Sequence, residues 1–585
     1  MTTAPSSASD RRIATISATV ARAWPNVYDV VVFFAIGALL VAVIHGAQSM
    51  HRPLEGLEAN PVSLNPANLP QYALLTTLRM FAALGFSLLF TFLVAPLAAK
   101  SEKAERVIIP ALDILQSVPV LGFLTFTVIF FMNLFPGSQL GAELAAIFAI
   151  FTSQAWNMAF SFYQSLKTIP GDLEEVTSQF HLTPWQRFWK LEAPFATPGL
   201  VWNMMMSMSG GWFFVVASEA ISVGNTQITL PGIGSYLSLA IDQKNIAAVA
   251  WAVGAMAVVI VLYDQLMFRP VVAWADKFRV ELVAAQVQPR SWVLDLLKRT
   301  RLLQAITGFI GSGIRFFSGG VSTLTKQIPN AKVDSTTGKA LDVAFNIALL
   351  GVVLWAGWSV ISYIRSTLGW PDLQTAVIDG FITLLRVLVL IAIASLIWVP
   401  IGVYVGLRPA LAERVQPLAQ FLAAFPANVL FPFAVAGIVA YHLDPNIWLS
   451  PLIILGTQWY ILFNVIAGAS VFPSDLMEAS TLFRLKQWQW WRKVILPGIF
   501  PYYVTGALTA SGGSWNASIV AEVVSWGDTK LEARGLGSYI ANATAAGDFH
   551  RVVLGVGVMS VFVVALNRLL WRRLYALADR RLRIQ

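Results

Sequence analysis

Apolar runs of about 20 residues, recurring along almost the whole chain, leave few folds open. A run of that length crosses a bilayer core of roughly 30 Å as one helix. In hydrocarbon every backbone polar group must be satisfied inside the chain, so helices or closed barrels are the only spanning structures. Hydropathy places spans at about 28–47, 73–98, 108–134, 139–163, 196–222 and 246–268, then at about 343–366, 376–407, 418–440, 447–471, 499–525 and 549–570. The expected fold class is therefore an all-α polytopic membrane protein of about 12 transmembrane helices in two sets of six. With 57% hydrophobic and 12% charged residues, the chain lies outside the range of soluble globular proteins. The 21 tryptophans suit the two membrane interfaces.

Charge sets the expected orientation. Arg11, Arg12 and Arg22 precede the first span; Lys100, Lys103 and Arg106 follow the second. Lys167, Arg187 and Lys190 follow the fourth, and Arg269, Lys277 and Arg279 the sixth, whereas the alternate loops are poor in Lys and Arg. The positive-inside rule then puts both chain ends in the cytoplasm. It also accounts for the net charge of +9 without a nucleic-acid partner. The segment before the first span has no signal-peptide core and is read as a cytoplasmic tail, 1–27.

The two sets of six match in sequence. AERV at 104–107 recurs at 412–415, Pro119 answers Pro426, SGGW at 209–212 answers GGSW at 512–515, and GIGSY at 232–236 answers GLGSY at 535–539. Six spans return the chain to its starting side, so this is a tandem duplication in parallel orientation. The expected boundaries are 28–270 for the first domain, 271–342 for a cytoplasmic linker, 343–575 for the second domain and 576–585 for a cytoplasmic tail. Within the linker, 302–317 reads as an amphipathic anchor on the inner membrane surface.

One polar, aromatic segment is also duplicated: EVTSQFHLTPWQRFWKLEAP at 175–194 and EASTLFRLKQWQWWRKVILP at 478–497, 303 positions apart. In the first copy Asp172 and Glu175 have capping-box spacing, and Thr183-Pro184-Trp185-Gln186 is a second helix start. The pattern predicts a helix, a turn near His181–Thr183, and a short helix stopped by Pro194. Leu182, Trp185 and Phe188 share one face of it, as do Leu485, Trp488 and Trp491 in the second copy. Such a face suits docking into a groove of a soluble partner. The structural alternative is that Glu175 and Glu478 only cap helices and the aromatics only sit at the lipid interface.

The order of Glu, small residues, an aromatic stretch and a closing Pro resembles the EAA loop of binding-protein-dependent ABC importer permeases. The flanking SGGW…Glu219…GIGSY and GGSW…Glu522…GLGSY patterns are similar to its nitrate/sulfonate/taurine branch. The resemblance covers about 73–270 and 376–575, as two type I importer-like permease domains in one chain. It implies that the EAA-like loops, 172–194 and 475–497, are coupling helices seated in two copies of an ATP-binding subunit. In that reading Glu175, His181, Leu182, Trp185, Phe188 and Pro194 form one contact. Glu478, Arg484, Leu485, Trp488, Trp491 and Pro497 form the other. A periplasmic solute-binding protein would dock near 223–245 and 526–548, in an inner membrane, and deliver a small anion such as nitrate, a sulfonate or taurine. The sequence departs from the family where its loop Gly is replaced by His181 and Arg484, and where Val176-Thr177 and Ala479-Ser480 follow the Glu. Gly tolerates positive φ, and His or Arg much less so.

The chain carries no Walker A pattern, so ATP and Mg are expected on the partner ATPase, with no cofactor, catalytic residue or metal site in this chain. Ionisable and polar groups within spans are pathway candidates. Arg79, Glu219, Arg386 and Glu522 form matched pairs, read either as an anion mouth or as internal ion pairs. Further candidates are Gln154, Trp156, Asn157, Ser209 and Trp212, with Gln458, Trp459, Asn464, Trp515, Asn516 and Ser518; Trp and Ser at Gly-rich positions equally serve close helix packing. Outside this family, the alternatives are an ion-gradient-driven secondary transporter of twelve spans and, more weakly, a membrane scaffold or sensor. The first needs no repeated cytoplasmic loop in each half.

Overall fold

Long runs of Leu, Val, Ile, Ala and Phe with few breakers become helices because the backbone then satisfies itself. The computed structural model describes residues 27–50, 62–117, 120–223, 226–278, 291–300, 335–470, 472, 474–485 and 487–581. The first half contains α1 (Val27–Ser49), α2 (Leu69–Lys100), α3 (Glu102–Ser117), α4 (Val120–Leu134), α5 (Gln139–Lys167), α6 (Gly171–Gln179) and α7 (Pro184–Arg187). It continues with α8 (Ala193–Glu219), the hairpin β1 (Ala220–Val223) and β2 (Thr226–Thr229), α9 (Ile233–Asp242), α10 (Ile246–Tyr263), α11 (Arg269–Ala275) and α12 (Trp292–Arg299). The second half contains α13 (Ser335–Arg365), α14 (Trp370–Gly406), α15 (Pro409–Ala424), α16 (Phe431–Ala440), α17 (Pro445–Trp448), α18 (Ser450–Leu455), α19 (Gln458–Ser470), α20 (Ser474–Leu482) and α21 (Gln487–Trp490). It ends with α22 (Leu496–Ala521), β3 (Val523–Trp526), β4 (Thr529–Glu532), α23 (Leu536–Ala546), α24 (Phe549–Leu566) and α25 (Arg572–Arg581).

Among the described residues nine helices are long and apolar enough to cross a membrane. Two bent pairs pass the same test together, 409–440 at 81° and 445–470 at 42°. The single spans expected at 418–440 and 447–471 are therefore broken helices. Proline explains the first break: Pro426 has no N–H to donate and holds Phe425 at ψ 125°, outside the helical region. The second falls at Gly456-Thr457, just past the end of α18. The span expected at about 108–134 consists of α3 and α4 on either side of 118–119, which lie outside the described residues, as do Lys486 and the anchor expected at 302–317.

The described residues fall into two units. One draws on Met1–Gln48, Gln164–Trp202 and Leu262–Lys332; the other on Ser49–Tyr163, Asn203–Val261 and Val333–Gln585. In the first unit the Arg299 guanidinium lies 5.8 Å from the Tyr28 ring centroid, and Lys277 lies 4.7 Å from that of Trp274. The second unit contains the two antiparallel hairpins, pairing Ala220 with Thr229 and Val523 with Glu532. Here the duplicated elements meet reciprocally, α9 against β3 and α23 against β1. The amide of Gly527 donates to the Ile241 carbonyl (3.0 Å), Lys244 reaches Asp528 (3.3 Å), and the Asn428 amide donates to the Phe213 carbonyl (3.0 Å).

The duplication extends to unusual backbone. His181 and Arg484, 303 apart, both sit at φ 49°, and Lys244 and Gly547, also 303 apart, at 54° and 69°. Wide π-helical turns occur at Phe188–Glu192 and Trp491–Ile495, and again at Asp264–Phe268 and Asn567–Trp571.

Candidate functional site

The repeated loop begins with α6. Asp172 lies in its first turn, but Pro170 occupies the cap position and no side chain caps the helix, so the expected Asp172–Glu175 capping box does not form. The chain reverses through His181 in the left-handed region, where the Leu182 amide donates to the Thr177 carbonyl (3.1 Å). Thr183 then starts α7 with both bonds of a capping box: its hydroxyl accepts from the Gln186 amide (3.3 Å), and the Gln186 side chain accepts from the Thr183 amide (3.2 Å). The helix does not stop at Pro194. It runs through the π turn 188–192 straight into α8, making one helical stretch Pro184–Glu219. A wider turn just before the ring gives room where an α turn would leave a carbonyl unpaired and clashing. Pro497 stands at the same place after the turn 491–495, and Trp488–Ala521 is likewise continuous.

Arg187 pairs with Glu174 of α6 and with Glu192 (3.0 Å), bracing three segments of the first loop. Glu175 and Glu478 are exposed; Leu182, Phe188, Leu485 and Trp491 are half-buried; Trp185 and Trp488 are exposed. Phe180 and Trp189 add exposed apolar surface that the one-face pattern missed. Pro194 and Pro497 are half-buried, and His181 and Arg484 point into solvent.

At the other end of α8 lies a closed ionic circuit. Arg79 donates through Nε and Nη2 to the two oxygens of Glu143 (2.6 and 2.8 Å) and through Nη1 to Glu219 (2.7 Å) and the Pro231 carbonyl (2.9 Å). Glu219 also accepts from the Gly234 amide (2.7 Å), and Thr76 Oγ1 accepts from the Ile233 amide (3.0 Å), so the carboxylate and the hydroxyl cap the first turn of α9. Gly232 and Gly234 are required here, because a Cβ on either would overlap the Glu219 carboxylate or the Val216 carbonyl. The second half repeats this circuit. Glu522 accepts from Arg386 (2.6 Å), from Thr383 (2.9 Å) and from the Ser538 amide (3.0 Å), while Thr383 accepts from the Leu536 amide (2.9 Å). It differs in charge. Arg386 pairs with the carboxylate of Glu522, and Arg534, at the position of Pro231, reaches Asp379 (2.9 Å). Glu143 was legible only as an acid within an apolar run, and it belongs with the four expected residues.

The remaining pathway candidates separate by environment. Gln154 is buried, accepting from Ser87 (3.4 Å) and packed beneath Gly211, while Ser209, Trp212, Trp515 and Ser518 are buried between helices. Ser209 and Ser518 donate back to their own helix, to the carbonyls of Met205 (3.2 Å) and Trp515 (2.8 Å). Trp156 packs edge-on against Phe90 (5.4 Å). Gln458 accepts from the Trp398 indole (2.8 Å), and Trp459 lies against the same indole (4.9 Å). Asn157, Asn464 and Asn516 are half-buried; Asn157 accepts from Gln116 (2.6 Å), while Asn464 and Asn516 donate to the carbonyls of Tyr460 (2.8 Å) and Gly512 (3.4 Å).

Two repeated sets of helices, each with an ion-paired loop at one end of a long span and, at the other, a polar loop that continues directly into it, fit a duplicated all-α permease. The sequence matches the family described as "Binding-protein-dependent transport system inner membrane component" twice, over 69–269 and 398–584. The chain belongs to that family, and with its many spans it is a multi-pass inner-membrane protein. It is 30% identical over 181 residues to the bicarbonate transport system permease protein CmpB of Synechococcus elongatus, covering 31% of this chain and 60% of that protein. It is 26% identical over 187 residues to the nitrate import permease protein NrtB of Leptolyngbya laminosa, covering 32% of this chain and 63% of the relative. The glycine betaine transport system permease protein OpuAB of Bacillus subtilis is 27% identical over 169 residues, covering 29% of this chain and 55% of OpuAB.

Proposed function

We propose that this chain supplies both transmembrane domains of an ABC importer for a small anion, with nitrate, bicarbonate and sulfonates as the leading substrates. The observation that carries the reading is the doubled loop. Two copies of one backbone, helix, left-handed residue, helix and π turn, each present exposed aromatics and each pass rigidly into a long span. A push on such a loop reaches the far end of the span without an intervening hinge. ATP and Mg would be held by two separate ATP-binding subunits on the cytoplasmic side, seated on 172–194 and 475–497. A solute-binding protein would dock on the opposite side, over the hairpins and the helices α9 and α23. Relatives named for bicarbonate and nitrate support an anion; the relative named for glycine betaine widens the range to zwitterions.

The test is purification of the chain from its native membrane. It should retain an ATPase, and Trp185→Ala combined with Trp488→Ala should weaken that retention. Uptake into vesicles driven by an ion gradient alone, with no ATPase present, would sink the proposal.

A further inference from the structure

The two loops share a backbone but not a surface. In the first, the guanidinium of Arg187 joins Glu174 to Glu192, and Thr183 closes a full capping box. At the matching positions, 303 residues on, stand Met477, Trp490 and Ile495, so no equivalent brace can form. Both loops expose a Phe, Phe180 (72%) and Phe483 (79%), but the second loop adds Leu482 and a more exposed Trp488. Leu482 is 82% exposed where the first loop has Gln179. Trp488 is 69% exposed, whereas its counterpart Trp185 is 37% exposed and packed edge-on against Trp189 (5.7 Å). Water tolerates three large, well-exposed apolar side chains within one short helix–turn–helix poorly, and such surfaces mark protein contacts. Trp in particular dominates the binding energy of the interfaces it enters.

We infer that the two coupling loops are unequal sockets: the second grips its ATPase subunit by burying Leu482, Phe483 and Trp488 in an apolar cleft, and the first acts as a braced lever with a weaker hold. The inference rests on the importer reading above, which makes an ATPase subunit the occupant of both loops. It adds that even two identical ATPase subunits would be held with different strength, because a single fused chain gives each a different surface. The bracing fits the lever role. Arg187 fixes α6 against the π turn, so a displacement of α6 is passed to α8 rather than absorbed in the turn at His181.

The experiment is native mass spectrometry of the complex isolated from its own membrane through a tag on this chain, counting ATPase subunits per chain. Phe483→Ala with Trp488→Ala should weaken retention at least about tenfold and leave one ATPase bound. Phe180→Ala with Trp185→Ala should leave two bound, with an affinity loss of no more than about threefold. Trp488→Phe should keep both, which guards against a folding defect, and Arg187→Gln should lower ATP hydrolysis while both subunits stay. Equal losses from the two loop variants, or a larger loss from the first, would overturn the inference and leave the importer reading standing. An unaltered chain that carries no ATPase would overturn the importer reading and this inference with it.

Discussion

Replacing Arg79 by Leu should be among the most damaging single changes in the chain. Its guanidinium has no exposed surface, and the two carboxylates it serves are 1% and 0% exposed. Removing one partner of a buried pair costs about 3–5 kcal/mol, because an uncompensated charge stays behind. Here two stay behind. Glu143 retains the Gln139 amide (3.0 Å) and Glu219 the Gly234 amide (2.7 Å), neither of which neutralises it. We therefore expect the upper end of that range. The same change at Arg386 should cost about 3 kcal/mol, near the lower end. Its side chain is 10% exposed, and it leaves one carboxylate that keeps Thr383 and the Ser538 amide. Thermal unfolding of the purified protein in lipid nanodiscs would read this as a drop of roughly 5–10 °C for Arg79→Leu, with a smaller drop for Arg386→Leu. Adding Glu143→Gln to Arg79→Leu removes one stranded charge and should recover part of the loss. An Arg79 variant that keeps its melting temperature but loses anion uptake would refute the argument, since the guanidinium would then act on substrate rather than hold the outer loop.

Other perturbations test the remaining geometry. Gly537→Ala should disorder the start of α23, because a Cβ there would overlap the Ser518 carbonyl; hydrogen exchange at 536–546 would report it, and unchanged protection would contradict the packing. His181→Gly and Arg484→Gly should each raise stability by up to about 1 kcal/mol by relieving a left-handed residue with a Cβ, visible as a higher melting temperature. Thr183→Ala should cost about 1 kcal/mol locally and speed exchange across 183–187. Lys244→Ala should change stability by less than about 1 kcal/mol, since its partner Asp528 is fully exposed.

The spans and the duplication were legible because they rest on composition and length, which the bilayer constrains directly. The Thr183 cap was legible for a similar reason: Thr-Pro-x-Gln writes both of its hydrogen bonds into four adjacent residues. What could not be read depends on partners distant in sequence. Glu143 looks like an isolated acid until Arg79, 64 residues earlier, folds against it. The hairpins 220–229 and 523–532 do pair locally, but their four-residue strands are too short to stand out beside the long apolar runs. The Asp172–Glu175 spacing suggested a cap, but Pro170 took the position first, so the spacing alone misled. Pro194 misled in the same way. It reads as a stop, yet the π turn before it lets the helix continue, and nothing local in Phe-Trp-Lys-Leu-Glu distinguishes a π turn from an α turn.

Around the repeated loops and hairpins the two halves have kept their backbone and changed their side chains; elsewhere they differ, since Gln139–Lys167 is unbroken where the second half bends at Gly456-Thr457. The left-handed pairs His181/Arg484 and Lys244/Gly547, the π turns and the hairpins repeat at 303 positions, whereas Gly137 and His442 are 305 apart. In the same 303-residue frame Pro231 is replaced by Arg534 and Arg187 by Trp490. A permease assembled from two identical chains is bound by symmetry, so any side chain suited to one half is imposed on the other. Fusion removes that bond. Each half then has to satisfy only its own packing, and the surface each presents is free to diverge. The turns that lead into the spans tolerate no such freedom, because a changed turn would redirect the helix that follows it. The pattern is what one repeated backbone carrying two different side-chain surfaces requires.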